Sequence, residues 1–167
     1  MIRLGVRLIL AIVILYASWL GMMTVHEAGH VMHANISGGD VRSVSVPLLG
    51  FSQTIVDPNP REIFVVWGGP VWGATLPVVA CGIVRMVRKR VPAVLRFFAG
   101  FCLLANGVYI GIGWMWRAGD TGEMLRLGTP LWIMITFGVA CVIGGLAMWH
   151  TLGRVSGFFL PPHRARR

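Results

Sequence analysis

Four apolar runs, each close to the ~20 residues a helix needs to cross a bilayer core, decide most of what this chain can fold into. They extend from Leu8 to Val25, Ile63 to Val87, Val94 to Trp116 and Leu131 to Leu152. Inside lipid the backbone has no water to bond, so runs of this length read as helices that satisfy their own N–H and C=O groups. Only 13% of residues are charged and 56% are hydrophobic. A soluble domain carries about 25% charged residues, so this chain lacks the polar surface a globule in water requires. The expectation is one integral membrane domain over 1–167, all-α, with four transmembrane helices.

The connection 31–62 is long for a loop between spans. Val41, Val44, Val46, Leu48 and Leu49 give it β character, and Gly38-Gly39, Gly50 and Asp57-Pro58-Asn59-Pro60 supply turns. A short β-hairpin-like segment is expected between the first and second spans. It either lies flat on the membrane or dips into it against the helices.

The formal net charge is +9, and its distribution is informative. Arg3 and Arg7 precede the first run, Arg85 and Arg88-Lys89-Arg90 separate the second and third, and the tail ends PPHRARR. Short basic clusters beside apolar runs anchor helices at anionic headgroups; they do not form a nucleic-acid surface. With four spans these places share one side, which the positive-inside rule makes cytoplasmic, with both termini there. The connections on the other side carry five acidic and four basic residues. No small-x-small cleavage site closes the first run, so it reads as a span of a bacterial-type plasma membrane protein and not as a signal peptide. Cys81, Cys102 and Cys141 lie inside apolar runs and read as small buried hydrophobes.

The first run ends in TVHEAGHVMHA, which puts His26, Glu27 and His30 at the edge of an apolar segment. On a helix each residue turns the chain by about 100°, so His26 and His30 lie about 40° apart on one face. That spacing suits two imidazoles on one Zn²⁺. Glu27, about 100° from His26, can reach a water at the metal without being a ligand, as a general base does. A catalytic zinc needs a third protein ligand and an open position. His26 is about 27 Å along a helix entering lipid near Leu8, close to the far face of a ~30 Å core. The third run enters from the same side near Val94, and Asp120 comes level with the histidines. Asp120 is therefore the favoured third ligand, with Glu123, His33 and Asp57 as competitors.

HEAGHVMHANISGG resembles the HExGHxxxA…GG signature of site-2 proteases, the intramembrane zinc metalloproteases. WGGPVWG, from Trp67 to Gly73, is similar to a Gly-Pro stretch of that family, and ANGVYIGIGWMWRAGD resembles the later segment bearing an asparagine and a ligating aspartate. The resemblance covers roughly residues 20 to 125. It implies zinc on His26, His30 and Asp120, Glu27 as base and a substrate contact at Asn106. Asn106 and Asp120 are fourteen residues apart with no proline between them, which marks a small, divergent member.

The functional expectation is zinc-dependent hydrolysis of a peptide bond in or near the transmembrane segment of a membrane-protein substrate. The rival reading is a non-catalytic membrane scaffold or binding protein with a structural or vestigial zinc site; Glu27 argues against it, because a structural site has no use for a base. Metal transport is disfavoured, since the middles of the second to fourth runs hold no ionisable residue.

Overall fold

The computed structural model describes residues 2–88 and 90–155. Lys89 and the PPHRARR tail, which enter the orientation reading, lie outside the described residues. Chain order is α1 (Ile2–Ser37), β1 (Val41–Ser45), β2 (Gln53–Val56), α2 (Glu62–Val87), α3 (Ala93–Gly113), α4 (Gly119–Arg126) and α5 (Leu131–Val155). Four of these helices, α1, α2, α3 and α5, are long and apolar enough to cross a membrane, which makes the chain an integral membrane protein. The architecture is all-helical apart from the expected hairpin between the first and second spans.

Helix α1 has 36 residues, about 54 Å at 1.5 Å per residue, so it outruns the bilayer core and carries HEAGH within the same unbroken helix. It stops at Gly38, whose φ of +78° is the left-handed conformation that glycine adopts without strain. Gly39 N–H then closes back on the Ala34 carbonyl at 2.8 Å, the six-to-one bond of a Schellman cap.

The hairpin is antiparallel, pairing Val41 with Val56 and Ser45 with Gln53. It folds back along α1. Tyr16 Oη–H donates to the Leu48 carbonyl at 2.9 Å, and the Phe51 ring meets Trp19 edge-on at 6.2 Å. Tyr16 lies ten residues before His26, about 15 Å deeper along α1, so the hairpin tip descends beside the apolar part of the span. The structure thus packs the hairpin against α1. Non-helical backbone at that depth needs protein partners, and Tyr16 supplies one. The tip side chains suit lipid: Leu48, Leu49 and Phe51 are apolar and exposed.

The third span ends earlier than its hydrophobicity predicts. Helix α3 stops at Gly113, and Trp114–Trp116 form a turn, not a further helical turn. Arg117 and Gly119 both have positive φ, 50° and 54°, which reverses the chain before the short helix α4. Asp120 is thus delivered by α4 folded back on α3 and not by the end of the span itself.

Glycines set the helix crossings. A Cβ on Gly29 would stand 2.3 Å from the Gly68 carbonyl oxygen, so α1 and α2 touch backbone to backbone. Helices α3 and α5 form the most extensive interface, crossing where Gly138 faces Gly107 and Gly111. Lipid offers little hydrophobic drive for helix association, so such close van der Waals approach holds the bundle together. A Cβ on Gly138 would meet the Gly111 Cα at 2.5 Å, whereas one on Gly144, on the same helix, would find only the Leu103 Cδ1 at 3.6 Å. Gly138→Ala is expected to lower unfolding stability in detergent micelles by about 1–3 kcal/mol, and Gly144→Ala to leave it unchanged or slightly raised. Thermal denaturation of the two variants checks this.

Candidate metal centre

His26 and His30 follow one another by a single turn of α1, and both turn towards α2 and α3, 7% and 6% exposed. Their Nε2 atoms are 3.2 Å apart. The Asp120 carboxylate arrives from α4, with Oδ2 2.8 Å from the His26 Nε2 and 3.4 Å from the His30 Nε2. Three atoms from two separate elements therefore form a nearly equilateral triangle.

The partners of the other ring nitrogens fix the tautomers. His30 Nδ1 lies 2.8 Å from the Val65 carbonyl, which can only accept, so Nδ1 carries the hydrogen. Asn106 Nδ2 donates to the Cys102 carbonyl at 2.9 Å, which turns its Oδ1 to the His26 Nδ1 at 2.7 Å. His26 Nδ1 must donate there as well. Each neutral imidazole then presents a bare lone pair at Nε2, facing the other and facing a carboxylate oxygen. Three acceptors meet with no hydrogen between them. Only a positive charge, a proton on an imidazole or a metal cation, turns that meeting into attraction. Ligand bonds of about 2.0–2.1 Å in tetrahedral geometry put neighbouring ligand atoms about 3.3 Å apart, close to the observed edges. The donor set and spacing fit Zn²⁺.

Glu27 is 3% exposed and faces the same pocket. A carboxylate oxygen of Glu27 and one nitrogen from each imidazole all lie within 4.8 Å of one another, so Glu27 opens on the same point as the histidines. Thr54 Oγ1–H, from β2, donates to Glu27 Oε2 at 2.6 Å and fixes the carboxylate. The hairpin thus contributes directly to the site.

The other carboxylates and His33 go elsewhere. Glu123 pairs with Arg126, whose guanidinium also reaches Glu62. Asp40 pairs with Arg42, and the Asp57 side chain is exposed. His33 has both ring nitrogens engaged, Nδ1 donating to the Phe64 carbonyl at 2.6 Å and Nε2 accepting from Trp72 Nε1–H at 3.1 Å. Among the four candidates for the third position, the structure brings only Asp120 to the histidines. Asn106 is 1% exposed with both ends of its amide engaged, one of them on His26. It orients that imidazole and is also among the residues that line the cavity over the cluster.

Three contributors had little or no sequence signal. Gly69 stands directly over the cluster: a Cβ there would be 2.3 Å from the His30 Nε2 and 2.6 Å from the His26 Nε2. The WGGPVWG motif stood out only for its likeness to a Gly-Pro stretch of the family, which does not say what Gly69 would face. Thr54 follows from strand alternation once the hairpin face is known. Tyr109, whose hydroxyl accepts the Asp120 N–H at 2.9 Å, had no signal beyond lying one helical turn after Asn106.

A cavity of about 1300 Å³ opens over the cluster. Its lining includes the apolar Trp19, Met22 and Phe101 and the carboxylates Glu62 and Glu123. Comparison with protein-family models, with curated proteins and with solved structures returns no match for this chain.

Burial alone would raise the Asp120 carboxyl. In metal-free protein a proton taken up at the imidazoles supplies hydrogen bonds and charge from His26 and His30 that outweigh it and hold the group well below the usual carboxylate range. A depressed carboxyl contributes stability above its unfolded pKa, near 4, and loses it as pH falls towards the folded value. In metal-free protein, Asp120→Asn is therefore expected to be less stable than wild type at pH 6, with the gap closing as pH falls below about 4. Parallel thermal melts across that range provide the check.

Proposed function

We propose that the chain is an intramembrane zinc metalloprotease of the site-2 type, which hydrolyses a peptide bond in or near the transmembrane segment of a membrane-protein substrate. The observation that carries this reading is the largely buried triangle of acceptors, two imidazoles and a carboxylate, with the Glu27 carboxylate within 4.8 Å of the imidazole nitrogens. His26, His30 and Asp120 would hold the ion. When bound, Zn²⁺ acts as a Lewis acid on water and on a carbonyl oxygen.

The remaining chemistry falls to the chain's own groups. Glu27, held by Thr54, takes a proton from the attacking water and returns it to the departing amine nitrogen. Asn106 and the Val65 carbonyl keep the Nδ1 hydrogens where they are, so both Nε2 lone pairs stay directed inward. Water reaches the cluster through the cavity that opens over it. A transmembrane helix has its carbonyls bonded and must unwind before attack. An unwound stretch can add as a strand to the β1–β2 hairpin, which already touches the base through Thr54.

The arginines Arg85, Arg88, Arg90 and Arg96 lie at the opposite ends of α2 and α3 from the cluster. This supports a cytoplasmic arginine-bearing face, with the site towards the other side.

Purified protein is expected to retain about one zinc per chain. Glu27→Gln should keep that zinc and lose about 10²–10⁴-fold in cleavage of a transmembrane reporter substrate. Asp120→Ala should lose zinc as well as activity. Elemental analysis beside the cleavage assay decides; a Glu27→Gln protein of full activity would remove the proposed base.

A further inference from the structure

Helix α4 carries Asp120, yet it starts without a cap of its own. Ala118 occupies the N-cap position with φ −116° and ψ 155°, the extended conformation of a capping residue, but it has no side-chain oxygen to receive an N–H. The first N–H groups of a helix have no partner within it. The one on Asp120 is taken by a residue of a different helix, the Tyr109 hydroxyl of α3, at 2.9 Å. Gly119 is pressed onto the same oxygen: a Cβ there would be 2.3 Å from it. The turn leading in, with positive φ at Arg117 and Gly119, is held from the far side by Thr121, whose hydroxyl donates to the Ala118 carbonyl at 2.8 Å. The Tyr109 ring also stands edge-on to His26, centroids 6.1 Å apart. One side chain thus touches both the residue that brings the carboxylate and the imidazole the carboxylate must meet.

We infer that Tyr109 is a positioning residue: its hydroxyl caps α4 from outside and sets the Asp120 carboxylate at the distance from His26 and His30 that a divalent cation requires. This deepens the metal-site reading above and rests on it. Tyr109 acts through Asp120 and is not itself a ligand. Losing the hydroxyl frees the start of an eight-residue helix that is otherwise tied to α3 here by packing, as of Thr121 against Gly113. The carboxylate then samples positions away from the imidazoles, and the ion is held chiefly by two nitrogens.

The test exploits the nature of the contact. Tyr109→Phe removes one oxygen. Ala118→Ser installs an ordinary N-cap whose hydroxyl can accept the same Asp120 N–H. Zinc affinity of full-length protein in detergent micelles is measured by competition with a fluorescent chelator. Tyr109→Phe is expected to bind zinc about ten- to hundredfold more weakly than wild type, the usual effect of removing a group that orients a ligand. Tyr109→Phe with Ala118→Ser is expected to recover wild-type affinity, which a general loss of packing would not allow. Should the single variant fail to purify as a folded species, the comparison becomes Ala118→Ser alone against the double variant, and equal affinity supports the inference. Wild-type affinity in Tyr109→Phe, or a folded double variant that stays weak, overturns it while leaving the metal reading intact. A wild-type protein that takes up no zinc overturns both.

Discussion

Two imidazole lone pairs and a carboxylate oxygen, each within 3.4 Å of the others, would separate if left to themselves in a buried pocket. What holds them is the set of bonds behind them. Val65 and Asn106 take the Nδ1 hydrogens, Tyr109 takes the Asp120 N–H, and each comes from a helix other than the one it restrains. The bundle therefore encloses an electrostatic demand that a positive charge, a proton on an imidazole or a metal cation, meets. In a low-dielectric interior that demand is severe, because unpaired buried acceptors are expensive.

The helices can supply those bonds only because they approach closely. Gly29 against Gly68 brings the first turns of α2 within reach of His30 and His33, and Gly69 leaves room for both imidazoles. Gly73 packs on the Asn106 amide and Gly113 on Thr121. Small residues thus act at two levels, as helix-packing surface and as the walls of the site. A side chain at any of these positions would disturb the packing that sets His26, His30 and Asp120.

Much of this was legible in the sequence, for definable reasons. Four runs of spanning length have few alternatives in lipid, and HEAGH on a helix allows one geometry for its histidines. Counting residues from the common membrane face placed Asp120 level with them, and it does meet them. The path by which it does so was not legible. Hydropathy carries the third span to Trp116, whereas the chain turns after Gly113, because the reversal depends on backbone angles at Arg117 and Gly119 that hydropathy does not register. Thr54 and Tyr109 were invisible for a related reason: a hydroxyl gains its meaning from a partner distant in sequence. Asn106 was singled out only through the family resemblance, and its engagement with His26 could not be read from spacing alone.

What occupies the triangle decides whether these side chains form a metal centre. An anomalous difference map collected at the zinc edge from crystals of the purified protein is the most direct test. The account predicts a single peak about 2 Å from the Nε2 atoms of His26 and His30 and from the Asp120 carboxylate, with a fourth position facing Glu27. A map with no peak there, or with the metal bound elsewhere, would contradict it.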